Sequence, residues 1–65
     1  MANFFEETYK SPFETRTREE AERVLNEIRR DYSPAHGWEE IYGGVEALPN
    51  GRFRAVRIHK EIKLL

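Results

Sequence analysis

One stretch of this chain repeats its apolar residues at helical spacing, and proline bounds it on both sides. Ala21, Val24, Leu25, Ile28 and Tyr32 fall on a single stripe. Before them, Thr17-Arg18-Glu19-Glu20 fits a capping box, in which the Thr hydroxyl and the Glu carboxylate satisfy each other's backbone N–H groups. Acids occupy the first turn and Arg29 and Arg30 the last, as the helix dipole favours. Glu19 faces Arg23, and Glu27 faces Arg30, across an exposed side. Ser33-Pro34 ends the pattern, because a residue before proline avoids the α region. The spacing predicts one helix over 18–32, and the rest of the chain must be strand or loop.

The C-terminal half reads as a hairpin, with arms over 38–48 and 52–60. Its turn, Pro49-Asn50-Gly51, allows two registers. A two-residue Asn-Gly turn sets Pro49 opposite Arg52, where a donor is needed and Pro has none. A type I turn with Gly51 in a left-handed bulge position avoids this. It pairs Leu48 with Arg52, Glu46 with Arg54, Tyr42 with Ile58 and Glu40 with Lys60. That register is expected, because opposite-charge pairs replace a Glu40–Glu61 clash. An earlier strand is expected over 4–9, ended by Ser11-Pro12.

These elements give a small α+β domain over 1–65, ordered β-α-β-β, with three strands in one sheet and the helix packed on one face. The 52–60 strand is expected in the middle. At 65 residues only one domain fits. Eight aromatics argue against disorder. No apolar run approaches the ~20 residues needed to cross a bilayer. Glu6 and Glu7 break the only apolar start, so no secretory leader is expected. Cysteine is absent, which removes disulfides and thiolate chemistry and makes a cytoplasmic location the default expectation.

Catalytic signals are weak. Glu39 and Glu40 are strand neighbours and point to opposite faces, which is wrong for a carboxylate pair. His36 and His59 show no ligand spacing and read as surface residues, so no metal and no cofactor are expected. Gly43-Gly44 lacks a phosphate-loop pattern and reads as a bulge or bend, one that would carry Trp38 and Tyr42 under the helix. The expectation is a chain that is not an enzyme.

Charge is unevenly spread. Residues 1–50 hold eleven acids and six bases, a net −5; residues 51–65 hold five bases and one acid, a net +4. Nucleic-acid binding through Arg52, Arg54 and Arg57 is therefore one alternative. Against it, the whole chain is near neutral, and Glu40 and Glu46 are available as cross-strand partners.

The stronger signal is apolar. The chosen register gives Ile41, Val45, Ala47, Phe53 and Ala55 to the face under the helix. It leaves Trp38, Tyr42, Leu48, Val56 and Ile58 on the other. Arg57 falls opposite Gly43 and so reads as a free cation. Trp38, Tyr42, Arg54, Val56, Arg57 and Ile58 are the candidate partner-binding residues, because aromatics and Arg dominate binding hot spots. The competing reading is a second cluster shielded by Phe4, Ile62, Leu64 and Leu65. The expected role is a small protein-binding module of the accessory or inhibitory kind common in phages and mobile elements. A structural homodimer is the third reading.

Overall fold

A computed structural model of the protein describes residues 2–64, with side chains from 6 to 62. Among the described residues one α-helix forms, α1, spanning Arg18–Asp31. Its capping box is formed: Thr17 Oγ1 accepts from the Glu20 N–H at 3.2 Å, and Glu20 Oε1 accepts from the Thr17 N–H at 3.2 Å. Arg23 donates to Glu19 at 2.8 Å, whereas the expected Glu27–Arg30 pair is not formed among the described contacts. Tyr32 caps the C-terminal end, and Pro34–His36 forms one 3₁₀ turn before Gly37, whose φ of 85° reverses the chain.

Three antiparallel strands make one sheet in the order β1-β3-β2: β1 is Ala2–Lys10, β2 is Trp38–Ala47 and β3 is Phe53–Leu64. The expected central position of β3 is therefore observed, and β1 and β2 flank it in the same direction. β3 runs four residues beyond its expected end, because β1 continues to pair with it as far as Ala2↔Leu64. The turn adopts the bulged register. The Leu48 N–H donates to Arg52 O at 2.8 Å, the Gly51 N–H donates to Leu48 O at 3.0 Å, and Gly51 has φ 84°. Among the described residues no helix is long and apolar enough to cross a membrane.

The register holds through Glu46↔Arg54 and Tyr42↔Ile58 and then slips by one residue at Ile41. The bulge is therefore at Ile41 and not at Gly43-Gly44. Its effect is to turn over the first half of β2. Glu39, not Glu40, pairs with Lys60; Glu40 faces His59; Trp38 faces Glu61. Trp38 thus moves to the helix side while Tyr42 stays on the open side, and Ile41 itself is 49% exposed. The slip also removes the like-charge Glu39–Glu61 opposition of an unbroken ladder.

The core under α1 is small. Ala21, Leu25, Ile28 and Ala55 are buried, with Tyr9, Val24 and Tyr32 packed against them. Ser11, Arg57 and His59 are buried with them. Two expectations fail here. Arg57 is not a free cation, and His59 is not a surface residue; they are 2% and 0% exposed. Alternation along β3 puts both on the face of Ala55, directly beneath the helix.

Candidate interaction surface

The site is built by what α1 leaves uncovered. A helix of 14 residues is ~21 Å long and β3, with 12, is ~40 Å, so one helix covers about half of one face. Among the described residues, the opposite face of the sheet carries no helix.

At its centre, Ile58 lies between Thr8 of β1 and Tyr42 of β2, with Val56 one step along the same strand. Val56 and Ile58 are half-buried, and Tyr42 is 53% exposed. Gly44 is what lets Tyr42 lie down along β2. A Cβ at Gly44 would come within 2.9 Å of the Tyr42 Cζ, so the ring covers the strand where a side chain would otherwise stand. Beside the ring is an open hollow of ≈290 Å³, bordered by Lys10, Glu46 and Val56.

Charged residues ring this centre, and they pair with each other. At one end Arg54 Nε donates to Glu46 Oε2 at 2.9 Å, and Lys10 Nζ stands 3.7 Å from the same oxygen. These bonds hold the Glu46 carboxyl below its usual range, the Arg54 hydrogen bond first among the causes. At the other end Lys60 Nζ lies 3.5 Å from Glu39, with Glu6 across the ladder from Lys60. Ile62 extends the face beyond and is 38% exposed. The side chains of Phe4, Leu64 and Leu65, invoked for the shielded alternative, lie outside the described residues.

Four of the six candidate residues therefore share this face: Tyr42, Arg54, Val56 and Ile58. The other two do not. Trp38 packs edge-on to Tyr32 (centroids 4.9 Å apart) and against His59 (4.6 Å) on the helix side. Arg57 donates to the backbone oxygens of Ile28 and Tyr32 at 3.3 and 2.9 Å. Those are carbonyls at the C-terminal end of α1, where the helix dipole favours a cation; Ile28 O also accepts from the Tyr32 N–H at 2.9 Å. Thr8 and Lys10 join the face without having been singled out in the sequence. Only the register, read across all three strands, brings them together.

The helix side holds the polar chemistry, but it is structural. Arg29 grips Glu40 with two hydrogen bonds, at 2.8 and 3.2 Å, and Arg57 Nε is 3.4 Å from the same carboxylate. A Cβ at Gly43 would meet the Arg29 Nη2 at 2.7 Å and the Glu40 Oε1 at 2.9 Å, so glycine makes room for the cluster. Glu40 is pulled below the usual carboxylate range, first by the Arg29 hydrogen bond; burial opposes this, and the Arg29 and Arg57 charges add to the lowering. His59 stacks on Tyr32 at 4.6 Å, and its Nε2 lies 3.2 Å from Glu7. A carboxylate can only accept, so Nε2 carries the hydrogen there. Among the described residues no three His, Cys, Asp or Glu side chains converge as a metal site.

Comparison with protein-family models, with curated proteins and with solved structures finds no match.

Proposed function

We propose that this chain is a small, non-enzymatic protein-binding module that docks through the open sheet face. Tyr42, Val56 and Ile58 form the anchor, and Arg54 lies at its rim. The observation that carries the reading is the half-exposed Tyr42 ring beside Ile58 on an uncovered sheet face. An aromatic anchor within a paired polar rim is the arrangement of a binding hot spot. An accessory or inhibitory role, blocking a surface of a larger assembly as small phage and mobile-element proteins do, fits a chain that offers one docking face. A cytoplasmic setting fits its lack of cysteine.

The placement of the basic residues weighs against nucleic acid. Arg57 is buried, Arg54 is held by Glu46, and the two lie on opposite faces of β3. With Arg52 they form no shared surface for a phosphate backbone.

Capture from nuclease-treated lysate tests the reading when wild type is compared with Tyr42→Ala and Ile58→Asp, and with Phe13→Ala as a distant exposed control. A species held by wild type and the control at elevated salt, and lost with both face variants, is the expected result. Capture that survives both variants, or collapses with modest salt, would refute docking at this face.

A further inference from the structure

We propose that in the free protein the open sheet face is covered by a second copy of the same chain, in a face-to-face two-fold dimer. This rests on the docking reading above and names the occupant of the face when no other partner is present.

Three observations point to a second copy. The first is the poverty of the monomer core. Among the described residues only Ala21, Leu25, Ile28 and Ala55 are buried apolar side chains, while Tyr42 and Ile62 remain 53% and 38% exposed. A domain this small gains most from burial supplied by another chain. The second is area. β1, β2 and β3, with 9, 10 and 12 residues rising ~3.3 Å each and spaced ~4.8 Å apart, offer a footprint of about 500 Å² per copy. Standard stable interfaces use ~800 Å² per partner, so a face of this size suits a weak dimer that exchanges.

The third is charge complementarity under symmetry. Among the strand residues of the face, one end holds Lys10, Arg54 and Glu46, a net +1; the other holds Glu6, Glu39 and Lys60, a net −1. A two-fold axis running across the strands at the Thr8–Ile58–Tyr42 row lays the positive end of each copy on the negative end of its mate. Ile58 then meets Ile58, Tyr42 meets Tyr42, and Lys10 of each copy stands over Glu6 of the other. This is the self-complementary contact that an isologous interface needs. Aligned packing of twisted sheets accommodates it, with α1 on the outside of both. Dimerisation hides the docking face, so a foreign partner must compete with the second copy for it.

Charge reversal tests this with substitutions at exposed β1 positions. Lys10→Glu makes both ends of the face −1, and Glu6→Lys makes both +1, while Arg54–Glu46 and Lys60–Glu39 stay paired. Sedimentation equilibrium of the full chain is expected to show a concentration-dependent wild-type dimer and two monomeric variants. Their equimolar mixture should regain the dimer. Tyr42→Ala should weaken the wild-type dimer at least tenfold, which separates face packing from pairing through the β1 edge, far from Tyr42. Circular dichroism verifies that each variant is folded. A wild type monomeric at every concentration, a mixture that stays monomeric, or a dimer indifferent to Tyr42→Ala would each overturn the proposal. If a monomeric wild type still captures a partner through Tyr42, the dimer fails while the docking reading stands. A dimer that behaves as described, with no Tyr42-dependent partner, has the reverse meaning.

Discussion

Glu40 lies 3.4 Å from the buried guanidinium of Arg57 because Ile41 bulges out of β2. Without that extra residue, alternation would send Glu40 to the open face beside Lys60. Arg57 would then sit beneath α1 with backbone oxygens but no counter-charge. One residue of slip therefore decides both halves of the molecule. It completes an ion cluster under the helix and keeps Glu40 and Trp38 off the docking face.

The cluster makes stability depend on acid. Arg29 and Arg57 favour the charged carboxylate, so Glu40 has a lower proton affinity in the fold than in the unfolded chain. The unfolded state thus binds more protons at low pH. The contribution of Glu40 is complete above its unfolded value, about 4.3, and is lost as the pH falls through its lower folded value. Melting temperature should drop as the pH is lowered from 6 toward 3. Glu40→Gln should flatten that slope relative to wild type; identical slopes would mean that Glu40 does not carry the dependence.

Arg57 ties the sheet to the end of the helix, so its loss should be felt throughout the domain. Arg57→Ala removes donors to Ile28 and Tyr32 and leaves Glu40 with Arg29 alone. A cost of about 2–4 kcal/mol is expected in urea denaturation. Arg57→Lys should recover only part of it, since one ammonium cannot span two carbonyls and a carboxylate as a planar fork does. Full recovery by Lys would show that charge alone is what matters.

What could be read from the sequence was local. The Thr17 box, the Ala21–Ile28 stripe, the Gly51 turn and the central position of β3 each follow from rules spanning a few residues or from one cross-strand charge pair. The Ile41 bulge does not, because a slip is specified by the sum of both ladders and by contacts with Arg29 on another element. Nor did the chemistry of Arg57 suggest its burial, although alternation with Ala55 did. The helix end specifies it, since a cation beneath it can reach the Ile28 and Tyr32 carbonyls. With the bulge unplaced, Trp38 fell on the wrong face, whereas Tyr42, Val56 and Ile58, on the turn side of it, did not.

The helix start can be probed independently of the sheet. Thr17→Ala deletes the acceptor for the Glu20 N–H and releases the reciprocal Glu20 contact. A loss of about 0.5–2 kcal/mol is expected, several degrees of melting temperature in a chain this short. An unchanged melt would place the effective cap elsewhere.

At the turn, Gly51 combines φ 84° with open space where a Cβ would be, so any penalty for Gly51→Ala is conformational and not steric with neighbours. A cost of about 1–2 kcal/mol is expected from forcing an L-residue into the left-handed region. Asn at the same position should cost less, because it tolerates that region better than Ala. Equal costs for the two would argue that the turn changes type on substitution.

Trp38 and Tyr42 give the sharpest contrast, because they stand four residues apart on the same strand and the bulge sends them to opposite faces. Trp38 is half-buried against Tyr32 and His59, and its removal opens a void beside the fully buried imidazole. Trp38→Ala should therefore destabilise the domain by about 2–4 kcal/mol. Tyr42 lies over Gly44 of its own strand and is 53% exposed. Tyr42→Ala should change stability by no more than about 0.5 kcal/mol while weakening association at the open face. Paired thermal melts and binding measurements on the two variants check both halves at once. Similar melts for the two, or unfolding by Tyr42→Ala alone, would place Tyr42 in the core and move the docking surface off this face.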